Sequence, residues 1–191
     1  MTSDGFVATA SFETPWFLQM GNYYDVEVRS KEGTDGAFIV SKTPPQGTSS
    51  SASWFSDNIF GISGRYGAYG APQDVRVLRD ERDRSVDGGR LLEYSFTALK
   101  GNAEVQRRAF VKAVSPPGSR DVVILVAGTT ASRWKKENGE KTSREVAESF
   151  RVVSTKPTNL AKAEESDYRF YKAKVSLSSS QSTGGAQYGG F

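Results

Sequence analysis

Arg133-Trp134-Lys135-Lys136 is a place where residue type and spacing together suggest a task. Three cations flank an indole within four positions. That is docking chemistry: Lys and Arg steer and register an acidic partner surface more than they add affinity. On this reading Trp134 plugs a corner of the fold while Arg133, Lys135 and Lys136 face the partner. A second aromatic–basic cluster, Tyr168-Arg169-Phe170-Tyr171, has the same character. Catalytic chemistry is scarcer. The 191 residues contain no histidine and no cysteine. Their absence removes Ser-His-Asp and Cys-His arrangements, the commonest general base, the thiolate nucleophile and the Cys- or His-ligated metal. An enzyme would have to run on carboxylates, Lys or Tyr alone. The expectation is therefore a non-catalytic protein, with no catalytic residue, no metal ligand and no directly bound cofactor.

Other patterns that can carry chemistry fail on spacing. Gly61-Ile62-Ser63-Gly64 and Gly67-Ala68-Tyr69-Gly70 lack the GxxxxGK[ST] arrangement, and no buried strand leads into them. Asp80, Glu81 and Asp83 sit among arginines, so they do not read as a hydrolase pair. No DxDxDG calcium loop occurs. The run Arg79 to Arg84 alternates in sign and reads as a solvated hairpin end. Lys plus Arg is 25 against 22 for Asp plus Glu, a balance too mixed for a nucleic-acid partner. No apolar run approaches the ~20 residues of a membrane-spanning helix. The opening MTSDGFVATASFETPW has no charged segment leading into an apolar one, so no secretory signal is visible.

These residues must be positioned by strands and one main helix. Asp74 to Arg79 and Leu91 to Leu99 alternate, and Asp87-Gly88 between them is a strong hairpin signal, because a type I′ turn needs positive φ at both central positions. In the returning strand Leu92, Tyr94, Phe96 and Ala98 share a face. Lys100-Gly101-Asn102 turns into Glu104 to Val114, where a bulge is expected near Arg107-Arg108. Ser115 to Ser119 is a proline–glycine turn. Val122 to Ala127 (VVILVA) then reads as a strand buried on both faces, completing a four-stranded antiparallel meander. Thr142 with Glu145 predicts a capping box, followed by a helical stripe of Val146, Phe150 and Val153. Earlier in the chain, Tyr24 to Arg29 and Ala37 to Val40 predict a hairpin, and Ser53 is expected to cap a short helix carrying Trp54, Phe55, Ile59 and Ile62. After about residue 155 the chain turns polar, from Val175 it is Ser/Gly-rich without periodicity, and by composition this tail cannot build a core of its own. It reads either as a disordered tail or as an arm lying along a partner.

The order of these parts resembles the PsbP family, the extrinsic oxygen-evolving-enhancer proteins of photosystem II and their thylakoid-lumen relatives. Three stretches carry the likeness: Val86 to Tyr94 (VDGGRLLEY), Val123 to Trp134 (VILVAGTTASRW) and Ser143 to Val152 (SREVAESFRV). The resemblance implies an α+β fold, an α-β-α sandwich around a central antiparallel sheet, with an N-terminal segment at 1–21, the domain at 22–154 and an irregular C-terminal tail at 155–191. It also implies a lumenal protein, peripheral to the chloroplast thylakoid membrane, that binds and stabilises a photosystem complex. The family includes subunits on the oxygen-evolving side of photosystem II, associated with Ca²⁺ and Cl⁻ retention, and auxiliary or assembly factors acting on photosystem I or other thylakoid complexes. The family's histidine-containing metal sites have no counterpart in a chain without histidine.

Overall fold

A computed structural model describes residues 7–19, 26–61, 71–82, 89–100 and 103–155. The Asp87-Gly88 turn, Ile62, Gly64, Gly67 and Gly70, and the cluster Tyr168 to Tyr171 lie outside the described residues. The strands are β1 (Val7–Ser11), β2 (Phe17–Leu18), β3 (Val26–Arg29), β4 (Gly36–Lys42), β5 (Gln73–Arg82), β6 (Arg90–Lys100), β7 (Ala103–Val114), β8 (Val122–Thr130) and β9 (Arg151–Thr155). The helices are α1 (Ala52–Phe60), α2 (Ala131–Lys136) and α3 (Gly139–Glu148). The larger sheet runs β2-β3-β4-β8-β7-β6-β5, antiparallel throughout, and β1 pairs separately with β9. The class is α+β, mostly antiparallel sheet.

The expected meander of β5 to β8 forms, and β8 sits in mid-sheet between β4 and β7. Its continuous apolar run is explained by two cores. Val122, Ile124 and Val126 join Phe55, Ile59 and Phe60 of α1 and Leu92, Tyr94 and Phe96 of β6. Val123, Leu125 and Ala127 face the other way, onto Val146, Phe150 and Val152. Successive strand side chains point to opposite faces, so a helix packs on each side of the sheet.

Four local expectations are corrected. The bulge is not at Arg107-Arg108, where β6 and β7 stay in register from Arg90↔Ala113 to Lys100↔Ala103. The irregularities lie in β5, between Gln73 and Arg76 and between Val77 and Arg79. A central strand must keep two ladders, whereas edge strand β5 has one neighbour to satisfy and absorbs extra residues cheaply.

The Thr142–Glu145 capping box does not form. Helix α3 begins three residues earlier, and Asn138, at φ 56°, accepts at its carbonyl from the Thr142 amide at 2.9 Å. Gly139 sets this start, because a Cβ there would lie 2.8 Å from both the Arg133 carbonyl oxygen and Thr129 Cγ2. The chain passes from α2 into α3 so tightly that no free cap position remains. Glu145 instead makes an exposed pair with Lys141 at 3.9 Å.

The helical stripe also ends early. Phe150 is buried, but Val153 belongs to β9 and is 61% exposed while Val152 is buried. Pairing with β1 overrides the helical period and turns Val153 outward. Finally, Ser51 rather than Ser53 caps α1, accepting at Oγ from the Trp54 amide at 3.2 Å. Ser53 is already inside the helix, with its Oγ 2.8 Å from that of Ser51.

Candidate docking surface

Helix α2 is the short segment that the sequence singled out. It follows β8 directly, and its one-turn geometry sorts the four residues. Trp134 points inward and is buried against Phe110, ring centroids 5.1 Å apart. The Arg108 guanidinium lies 5.0 Å from the Trp134 ring centroid, and that of Arg144 lies 4.8 Å from the ring of Phe110. Two aromatics in contact, their planes tilted by 39°, are thus covered by two cations, each attracted to a ring face. The packing role of Trp134 is evident here.

The three basic residues of α2 separate into two kinds. Arg133 is engaged: its Nη2 pairs with Asp35 at 3.1 Å and Glu137 at 3.2 Å. Asp35 also accepts from Thr129 Oγ1, and Arg107 Nη2 donates to the Thr34 carbonyl at 2.8 Å. Arg133 therefore fastens the β3–β4 hairpin to the end of the sheet. Lys135 and Lys136 are exposed and have no ion pair among the described residues. They, more than Arg133, have the freedom to meet a partner. Tyr168, Arg169, Phe170 and Tyr171 cannot be placed beside them, since they lie outside the described residues.

Sequence reasoning missed the charges buried in the sheet. Glu93 is fully buried and serves two arginines, with Oε1 accepting from Arg108 Nη2 and Oε2 3.2 Å from Arg79 Nε. Glu93 alternates with Leu92 and Tyr94 and shares its face with Ser95 and Thr97, and alternation alone assigns that face to solvent. On the α1 side, Arg90 is buried and grips Asp80 with both arms, Nε to Oδ1 at 2.8 Å and Nη2 to Oδ2 at 2.6 Å. Arg90 also donates to the Thr48 and Ser50 carbonyls, tying down the 3₁₀ turn Gly47–Ser49. The hydrogen bond from Arg90 holds the Asp80 carboxyl below its ordinary range, and the same bond raises Arg90. Burial pushes the Tyr94 hydroxyl up to about 12; it donates to the Ala52 carbonyl at 3.1 Å. These are bonds that hold the fold. Among the described residues no three acidic or metal-ligating side chains converge, and no helix is long and apolar enough to cross a membrane.

No protein-family model and no curated protein matches this chain. Among solved structures it is similar to the crystal structure of LpqN, involved in cell envelope biogenesis of Mycobacterium tuberculosis, at 13% identity. That match covers 81% of this chain and 87% of the other with a TM-score of 0.44, a level that supports no inference about this protein.

Proposed function

We propose that this chain is a PsbP-type α-β-α sandwich that works without catalysis, as an extrinsic lumenal subunit binding and stabilising photosystem II on its oxygen-evolving side. The observation that carries the reading is the run from β8 through Arg133-Trp134 into α3. It carries two of the three resembling stretches, Val123 to Trp134 and Ser143 to Val152, beside a sheet with a helix packed on each face, and the third, Val86 to Tyr94, runs into β6 of that sheet. Lys135 and Lys136, exposed beside the buried Trp134, supply the contact, and residues 155–191, with Tyr168 to Tyr171, extend it. The reading is one of docking rather than of Ca²⁺ or Cl⁻ retention, because a chain without histidine lacks the family's metal-site residues.

Exposed charge contacts are screened by salt, with a Debye length of about 8 Å at physiological ionic strength. Washing thylakoid membranes with concentrated salt should therefore release the protein. Lys135→Glu with Lys136→Glu should release it at lower salt than the parent, and deletion of 156–191 should weaken binding further. Retention through the salt wash, or unchanged release by the double charge reversal, counts against this contact. Co-migration on native gels with immature particles or photosystem I, and not with mature photosystem II, would instead identify an assembly or auxiliary factor.

A further inference from the structure

A groove of about 340 Å³ opens beside β5, lined by Asp74, Arg76, Ser95, Thr97, Gln106 and Arg108 among others. Its floor follows directly from the register. Arg76 of β5 stands opposite Ser95 of β6, and Ser95 opposite Arg108 of β7, so the three form one cross-strand row. Two strand spacings put the Cα atoms of the two arginines about 10 Å apart with a hydroxyl between them. The next row on that face, Thr97 opposite Gln106, adds neutral hydrogen-bonding groups.

The two arginines are prepared differently. Arg108 is held in place by Glu93 and by the Trp134 ring, so little freedom is lost when it engages a ligand. Arg76 owes its place in the row to the bulge between Gln73 and Arg76, where Asp74 takes up φ 51°. Bulges re-aim side chains in this way. Charge is also unequally shared. Arg79 and Arg108 divide the single carboxylate of Glu93, while Arg133 and Arg144 each have acidic partners of their own. Arg76 has no ion pair among the described residues. Asp74, also in the lining, offsets part of the positive excess but not all of it.

We propose that Arg76, Ser95 and Arg108 form a binding site for a tetrahedral oxyanion of the phosphate or sulfate class. Guanidinium forks match such oxygens bidentately, and the Ser95 hydroxyl between them donates a further hydrogen bond. The site stands apart from the photosystem reading and does not depend on it. The same chemistry is offered by the free ion and by the phosphate of an anionic lipid headgroup.

The test is a titration of the full chain, at constant ionic strength, with inorganic phosphate and then with vesicles of phosphatidylglycerol or phosphatidylcholine. Backbone amide signals of Ser95, Thr97 and Arg108 are followed by NMR. Saturable shifts with phosphate, weakened about ten-fold or more in Arg76→Gln and unchanged in Arg82→Gln, establish a site for the free ion. Shifts that need phosphatidylglycerol, fail with phosphatidylcholine and vanish in Arg76→Gln establish the same site with a lipid source. Arg76 is exposed, so its replacement should leave the fold intact, and unchanged amide spectra elsewhere verify this. No saturable shift from either source, or an Arg76→Gln protein that binds as the parent does, overturns the proposal.

Discussion

Glu93 offers a direct test of how the sheet tolerates a buried charge. Its side chain is fully buried, whereas those of its partners Arg108 and Arg79 are 22% and 52% exposed. Glu93→Leu leaves Arg79 free to return to water but strands Arg108 against Trp134 without its counter-charge. Breaking a buried pair from one side costs about 3–5 kcal/mol. The partial exposure of Arg108 sets the expectation at the lower end, about 3 kcal/mol. Arg108→Met alone leaves Glu93 to Arg79, at 3.2 Å, and should cost about 2 kcal/mol, within the range for leaving a charged group under-bonded. The double variant removes both charges and fills the space with apolar atoms, a replacement that is often near neutral. The two losses should therefore fail to add by about 4–5 kcal/mol, above the roughly 0.5–3 kcal/mol common for residues in one network. Urea unfolding of the four proteins, with unchanged slope and shifted midpoint, reads this directly. A coupling below about 0.5 kcal/mol would refute the view that Glu93 and Arg108 hold each other in the sheet.

Other outcomes follow from the same geometry. The Asp80 carboxyl is depressed by Arg90, so its contribution is present above the unfolded carboxylate pKa of about 3.9 and is lost as pH falls through the lower folded value. Unfolding curves of Asp80→Asn should show a weaker acid dependence than the parent below about pH 5. Tyr94 has the opposite sign: raised to about 12, it stabilises fully below the unfolded pKa of about 10, and that stability drains away between the two values. Tyr94→Phe should flatten this alkaline loss while costing about 1 kcal/mol for the bond to Ala52. Trp134→Ala should cost about 3–5 kcal/mol in chemical denaturation, and Trp134→Phe much less, since the buried Nε1 has no hydrogen-bond acceptor to lose. Gly128→Ala would place a Cβ 2.5 Å from the Arg108 carbonyl oxygen and 2.7 Å from Ala109 Cβ, so a loss of about 1–3 kcal/mol is expected in thermal melts.

What could be read from the sequence was what local chemistry decides. The VVILVA run, the β3–β4 hairpin and the Pro-Gly turn announce themselves because alternation, continuous apolar runs and turn residues act over a few positions. Gly118, at φ 80°, and the Ser119 amide bonded to the Pro116 carbonyl at 3.0 Å bear out the expected turn. Strands β1, β2 and β9 were not legible, because each is short and owes its existence to a distant partner: Val7 opposes Thr155 and Phe17 opposes Arg29. The start of α3 was misplaced for a related reason. Thr142-x-x-Glu145 is a good local cap, but the close approach of Gly139 to Arg133 is a tertiary fact. At the candidate site, the burial of Trp134 was readable from its place after a buried strand. The capture of Arg133 by Asp35 was not, since nothing local links residues that far apart.

The β1–β9 ribbon has a kinetic meaning. Val7 to Ser11 and Arg151 to Thr155 zip together across nearly the whole described chain. That closure carries the largest loop entropy of the strand pairings among the described residues, although the cost grows only logarithmically with length. In return only one face of the ribbon is buried, with Val152 in the core and Ala8 and Ala10 against it, while Val153 is 61% and Val7 37% exposed. It is thus the natural last step of folding and the first to fray. The chain behaves as a purse with its drawstring at β1 and β9: it can loosen at the neck while the seven-stranded sheet stays shut.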